Sequence, residues 1–198
     1  MPMKKIKKSV IPKFCFSVGA ILLLISTLIL IFWQFNINSS IKNNKNHLKT
    51  LQDIMPTVQG AVPQERRDNT MPTLNADKTD FVGILEMPQY KSTLPVCAKW
   101  GKISKYPCQL NGSVYNRTMQ VGATNQKGQC DFYQNISVGD TVFFTDMEGN
   151  RYSYTVTNLS YEKHADQTTL MAYDSDFTLF IKNIFDFEYL IVYCTVAN

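Results

Sequence analysis

The chain has 198 residues, of which 44% are hydrophobic, and a formal net charge of +4. This length is sufficient for one compact domain together with a membrane anchor. Five lysines precede the first apolar run and leave 15 basic and 16 acidic residues after it, so the outer part of the chain is close to neutral. This charge distribution, without a basic and aromatic stripe, argues against a nucleic-acid-binding protein.

The first predicted element is an apolar helix near the N-terminus. The 20 uncharged residues from Phe14 to Trp33 would span roughly 30 Å as a helix, which is the thickness of a bilayer core. Residues 1–13 are therefore predicted to be a basic cytoplasmic tail and residues 14–35 a transmembrane anchor. The preceding lysines place the rest of the chain outside the cell. A cleaved signal peptide is the alternative, but the run is longer than a signal h-region and no small-residue cleavage site follows.

Residues 36–79 are predicted to be an extracellular linker. The segment begins with an Asn-rich stretch that has few apolar residues, and LKTLQDIM then allows a short helix. Three prolines follow without any periodicity. Such a sequence is typical of an extended or disordered tether between a membrane and a domain.

Residues 80–198 are predicted to form an all-β domain. FVGILEMP alternates as a strand does, and MQVGAT is a second short apolar run. TVFFT and RYSYTVTNLSY flank a turn that contains Gly149, which indicates a hairpin. FTLFI and EYLIVY are rich in β-branched and aromatic residues and predict two more strands. Closely spaced short strands with almost no helical periodicity favour a closed barrel or a sandwich.

Four of the five cysteines lie in the predicted outer domain: Cys97, Cys108, Cys130 and Cys194. An even number in an oxidising compartment is typical of disulfides. Cys97 with Cys108 is the natural local pair, which would leave Cys130 to pair with Cys194. Four free buried thiols are the alternative.

Motifs for catalysis are sparse. The sequence contains no glycine-rich phosphate loop, GxSxG elbow or HExxH motif. His47 and His164 are isolated, so neither a metal site nor a cofactor is expected. Cys194 is a candidate nucleophile, but no histidine or arginine follows it that would lower the pKa of its thiol. A disulfide or a buried thiol is the expected role of Cys194.

Four segments, taken in order, resemble the sortase family over about residues 80–194. FVGILEMPQYKSTLPV resembles the opening of a sortase domain, and VGATNQKGQCDFYQNISVGDTVFFTDMEGNRYSYTVTNLSY resembles its central block. FTLFIK resembles the strand that ends on the catalytic cysteine, and EYLIVY the strand that carries the catalytic arginine. The resemblance implies a closed β-barrel of about eight strands with one or two short helices, here preceded by one N-terminal transmembrane helix.

The resemblance also implies a reaction, and this sequence departs from it at each reactive position. Sortases cleave a sorting signal through a thiolate and join the acyl fragment to an amine, with a histidine as acid or base and an arginine at the oxyanion. The histidine position is Ala123, with Thr124 as the nearest alternative, and the cysteine position is Lys182. The arginine position falls on Phe187 or Glu188. None of these side chains can perform the corresponding step.

Three hypotheses about function follow. The first is a membrane-anchored, catalytically degenerate sortase-like protein at the Gram-positive cell surface, which binds a peptide, a cell-wall precursor or another surface protein. The second is an active cysteine transpeptidase with Cys194 as its nucleophile and His164 or an unrecognised group as its base. The third is a structural or assembly subunit that contacts a partner through an exposed sheet.

Overall fold

The computed structural model describes residues 10–60, 70–173 and 175–197. The chain divides into two compact units, Met1–Ser39 and Ser40–Asn198. Most of the expected basic tail, residues 1–9, lies outside the described residues, as does the middle of the expected linker.

Helix α1 (Val10–Ile54) is long and apolar enough to cross a membrane, and its apolar window is entirely exposed. It is therefore a candidate single-pass anchor, and its orientation stays a prediction. The expectation of an extended or disordered tether is wrong for residues 36–47, which are helical, whereas the helix allowed over LKTLQDIM is present as the last turns of α1. Ile41, Leu48 and Leu51 recur at helical spacing within the Asn-rich sequence and give this part of the helix an apolar face.

The last turns of α1, from Ser40 onward, pack against the β-domain of the same unit. Leu51 is completely buried. The ring of His47 lies 5.5 Å from that of Phe81 and 5.6 Å from that of Tyr106. The Asn-rich composition of this segment does not favour a helix. Burial of its apolar face stabilises the helix, since most helical stability in proteins comes from tertiary packing.

Ten strands and one short second helix follow among the described residues. The strands are β1 (Gln59–Gly60), β2 (Leu74–Ala76), β3 (Thr79–Met87), β4 (Ser92–Cys97), β5 (Cys108–Asn111), β6 (Met119–Thr124), β7 (Thr141–Asp146), β8 (Asn150–Lys163), β9 (Phe177–Lys182) and β10 (Glu188–Val196). Helix α2 (Gln167–Met171) precedes β9. β2 pairs with β3, so the β-domain begins before the expected boundary at residue 80.

Eight of these strands form a closed barrel. The order of neighbours is β8-β10-β9-β6-β5-β4-β3, and β7 closes the circle because it pairs with both β3 and β8. β1 and β2 add short pairs outside this circle, to β8 and β3. The closed barrel with few short helices confirms the predicted fold class.

Strand alternation fills the barrel interior. On β9, Phe177, Leu179 and Ile181 belong to the main core cluster, whereas Phe180 packs in a separate cluster on the outer face with Tyr189 of β10. Successive strand residues point to opposite faces, so the apolar run FTLFI is buried on both sides. The continuous apolar sequence therefore reflects a strand with a covered outer face.

The seam between β4 and β5 is the narrowest in the barrel. These strands share one residue pair, Cys97 with Cys108. The same two residues form a disulfide, with 4.5 Å between their Cα atoms. The local pairing predicted from the sequence is confirmed.

The expected second disulfide is wrong, because Cys130 and Cys194 are separate buried thiols. Cys194 on β10 lies opposite Phe177 at the start of β9. The amide of Cys130 donates to the carbonyl of Thr124 (3.1 Å), which lies level with Lys182 at the end of β9. Five residues of strand separate these levels, or about 16 Å, whereas disulfides need Cα atoms within about 7 Å.

We predict that the full chain, denatured without reductant, has three reactive thiols, and five after reduction. Thiol titration in guanidinium tests this, and a single reactive thiol before reduction would show a second disulfide. The pair Cys97→Ser with Cys108→Ser should lower the free energy of unfolding by about 3 kcal/mol, because the unfolded chain loses a loop constraint. Cys15→Ser is the matched control and should leave the unfolding midpoint of the β-domain unchanged.

Candidate functional site

The ends of three adjacent strands, β6, β9 and β10, bring Lys182 together with two neighbouring side chains. Thr124 at the end of β6 is level with Lys182 at the end of β9, which is level with Tyr189 of β10. Directly opposed residues share a face, so these three side chains form a row across the sheet. Neighbouring strands lie about 4.8 Å apart, and the row is therefore about 10 Å long. We call it the terminal row.

The structure places Ala123 and Glu188 at the same end of the barrel but not in the terminal row. Ala123 is level with Ile181, and both side chains lie in the interior core. Glu188 is level with Lys163 of β8, with 3.9 Å between its Oε1 and the lysine Nζ. Tyr189, one residue later, is the β10 neighbour of Lys182, and strand alternation was the signal that could have identified it. The equivalence of Ala123, Lys182 and Glu188 to the sortase positions stays a prediction.

Lys182 contributes a half-buried cation to the terminal row. Its Nζ lies 5.3 Å from the ring centroid of Phe187 and 5.8 Å from that of Tyr189. Ammonium groups within about 6 Å of an aromatic face are attracted by its quadrupole. Phe187 has a left-handed φ of 59°, which is rare for a bulky residue. The cation is therefore held against two rings, one of them on a strained turn.

Two asparagines connect the loop after β6 to the turn between β9 and β10. Asn125 Nδ2 donates to Asn183 Oδ1 (3.0 Å), and its Oδ1 accepts from the amide of Ile184 (3.1 Å). Asn183 Nδ2 donates in turn to the hydroxyl of Tyr133 (3.3 Å). These bonds fix the two loops that border the terminal row.

The sheet face that carries the terminal row is covered by an indole next to Thr124, because Gly122 and Thr124 are two residues apart on β6 and share a face. Trp100 lies in the loop between the two disulfide cysteines, and a Cβ built on Gly122 would lie only 2.1 Å from its ring. Ile103 of the same loop approaches the same position. Gln129 holds this loop in place, because its Oε1 accepts from the amide of Thr124 (3.1 Å) and its Nε2 donates to the carbonyl of Ile103 (3.2 Å).

Thr124 and Tyr189 are themselves buried, at 3% and 7% exposure. Burial raises the pKa of the Tyr189 hydroxyl. The Thr124 Oγ1 is buried without a hydrogen-bond partner among the described residues. Of the terminal row, Lys182 is thus the side chain that solvent reaches most easily.

Cys194 and His164 do not meet. The amide of His164 donates to the carbonyl of Phe187 (3.4 Å), beside the start of β10, whereas Cys194 lies level with the start of β9. The six residue-to-residue steps along β10 from Glu188 to Cys194 separate them by about 20 Å. The Cys194 thiol is completely buried, and this burial raises its pKa. The thiol is therefore protonated at neutral pH and distant from the imidazole.

Cys130 is the thiol that the structure places nearest the terminal row, through its hydrogen bond to Thr124. No sequence motif marks it as a nucleophile. Its side chain belongs to the interior core, and burial, with a smaller contribution from Asp131, raises its pKa to about 12. A thiolate does not form there near neutral pH. Within the described ranges, no group of three histidine, cysteine or acidic side chains could hold a metal ion.

Comparison with known proteins supports the fold. No family model matches the sequence, and no curated protein matches it. Among solved structures, sortase C1 from Streptococcus agalactiae aligns with a TM-score of 0.52 and 17% identity over 63% of this chain and 71% of that chain. The pilus-related sortase C of Group B Streptococcus aligns with a TM-score of 0.51 and 15% identity over 81% and 91%. Sortase C from Clostridium perfringens SM101 aligns with a TM-score of 0.50 and 14% identity over 82% of this chain and 88% of that chain.

At these identities the likeness concerns the fold. The closed eight-stranded barrel matches the sortase fold, as the resemblance implied. The chain therefore has a sortase-like fold.

We predict that Gly122→Ala displaces the Trp100 indole, because the added methyl group would overlap the ring. Overpacking of this kind costs typically about 1–3 kcal/mol. Trp33→Phe leaves Trp100 as the single tryptophan. In that background, Gly122→Ala should shift the fluorescence emission of Trp100 to longer wavelength and make its indole more accessible to quenching by acrylamide. Gly101→Ala is the matched control, since a Cβ at that position meets no atom within 4 Å. Unchanged emission in Gly122→Ala would contradict the contact.

Proposed function

We propose that the protein is a membrane-anchored, catalytically degenerate sortase-like protein that binds a partner at the extracellular surface. The observation that carries the proposal is the terminal row. A sortase reaction requires a thiolate, an imidazole and a guanidinium on these strands. Thr124, Lys182 and Tyr189 supply two hydroxyls and an ammonium instead.

The chemistry of these groups supports binding more than acyl transfer. An ammonium is not nucleophilic until it loses its proton, and the Lys182 Nζ lies against the rings of Phe187 and Tyr189. A threonine hydroxyl cannot exchange protons near neutral pH, so Thr124 does not replace a histidine. The buried thiols Cys130 and Cys194 have raised pKa values, which opposes thiolate formation.

Features around Lys182 suit a peptide-like partner. Phe185 and Phe187 on the β9–β10 turn are 75% and 54% exposed. Exposed aromatic residues beside a cation are typical anchors of interaction surfaces. We therefore propose that a peptide, a cell-wall precursor or another surface protein contacts this turn and Lys182, with no cofactor involved.

We predict that the full-length chain in detergent neither hydrolyses sorting-signal peptides nor transfers them to an amine. The measurement is mass spectrometry of the peptide after long incubation, with an active sortase as the positive control. Lys182→Ala should leave this result unchanged. Turnover that disappears on Cys194→Ala or Cys130→Ala would overturn the degenerate assignment.

Thiol trapping distinguishes the active-enzyme alternative independently of substrate choice. Mild alkylation of the native chain at neutral pH should leave Cys130 and Cys194 unmodified, whereas denaturation should make both reactive. Rapid modification of native Cys194, lost on denaturation, would instead identify an activated nucleophile.

A second experiment tests the binding surface against the assembly-subunit alternative. A photo-crosslinking amino acid at position 185 should give discrete adducts in cells. The same group at position 150, on the β7–β8 hairpin, serves as the control and should give none. Adducts at position 150 alone would favour an assembly role through that side of the barrel.

A further inference from the structure

A cleft of about 300 Å³ lies within the second unit, between the last turns of α1, the β3–β4 turn and the loop after β6. We call it the helix cleft. It does not include any residue of the terminal row. Gln129 lines the cleft and also bonds to Thr124, so the two regions share only a supporting residue.

The mouth of the helix cleft is positively charged. Lys45 of α1, Lys91 of the β3–β4 turn and Lys127 of the loop after β6 line it, and all three are exposed. Asp131 is the one acidic side chain in this lining. Three separate elements thus place amino groups around one opening, and their excess charge is complementary to an anionic ligand.

The walls of the helix cleft also contain polar groups, on the side chain of Asn44 and along the edge of β4. Asn44 Nδ2 donates to the carbonyl of Gly128 (3.2 Å), but its Oδ1 is buried and has no partner among the described residues. Residues 92–94 of β4 line the cleft and pair with β3 on one side only, since β4 meets β5 just at Cys97. A strand edge of this kind pairs with an extended peptide backbone.

An apolar wall completes the helix cleft. The rings of Tyr90 and Phe132 stack with centroids 4.4 Å apart and planes 9° from parallel. Ile41 and Leu48 of α1 lie in the same lining. This wall suits an aliphatic side chain that alternates with an acidic one along an extended chain.

We infer that the helix cleft binds an extended acidic peptide segment of a partner protein. Its carboxylates meet Lys45, Lys91 and Lys127, its backbone pairs with the β4 edge, and its apolar side chain packs on the stacked rings. A phosphate polymer would satisfy the lysines but would supply no N–H donor. The inference goes beyond the proposed function, because it concerns a different surface and holds whether or not the terminal row is catalytic.

The test uses the full chain in nanodiscs of zwitterionic lipid and fluorescence anisotropy of a short labelled peptide of alternating glutamate and valine. The same peptide with glutamine should bind much more weakly. Each of Lys45→Gln, Lys91→Gln and Lys127→Gln should weaken binding about two- to fivefold, and the triple variant by roughly tenfold or more, as expected for exposed ion pairs. Lys105→Gln is the matched control on an exposed lysine outside the cleft and should have no effect.

Two further arms keep the inference falsifiable. Ser92→Trp fills the cleft without changing charge and should abolish binding while the unfolding midpoint stays within the range of the parent chain. An N-methylated peptide should bind more weakly than the parent peptide. The inference is overturned by the absence of saturable binding, by an equal loss in Lys105→Gln, or by polyphosphate that binds as tightly as the peptide. None of these outcomes depends on transpeptidation, so they are separable from the test of the terminal row.

Discussion

The barrel depends on the single residue pair that joins β4 to β5. Every other neighbouring pair of barrel strands shares several residue pairs, whereas this seam has only Cys97 opposite Cys108. The disulfide replaces the hydrogen-bond ladder that the seam lacks. It also closes the loop that places Trp100 on Gly122, so the same covalent bond supports barrel closure and the cover over the outer face of β6. The disulfide between β4 and β5 therefore also determines what surrounds the terminal row.

Local sequence signals predicted the elements, and strand register decided how they combine. The apolar run, the Gly149 hairpin and the Cys97–Cys108 pair each depend on residues close in sequence, and the structure contains all three. The pairing of Cys130 with Cys194 failed because it depends on which ends of β6, β9 and β10 are level. Register between strands that lie far apart in sequence is not encoded in any one of them.

Strand register also decides which single residues form the candidate site. Family resemblance pointed to the ends of β6, β9 and β10, but only the pairing of β9 with β10 distinguishes Tyr189 from Glu188 as the neighbour of Lys182. The helix beyond Asn36 was not predicted over residues 36–47, because this segment is rich in asparagine, which is a weak helix former. Ile41, Leu48 and Leu51 form its apolar face, and that face is stabilised by a β-domain whose position the sequence does not reveal.

The two buried thiols have a consequence for the route by which the protein matures. Cys97 and Cys108 are separated by 11 positions and can meet by local chain motion. Cys194 lies on β10 and becomes buried when β10 pairs with β9 and β8. Until then four thiols compete for oxidants in any oxidising compartment. In an oxidising compartment the short loop therefore favours oxidation of Cys97 with Cys108, and folding of the barrel removes the remaining buried thiols from exchange.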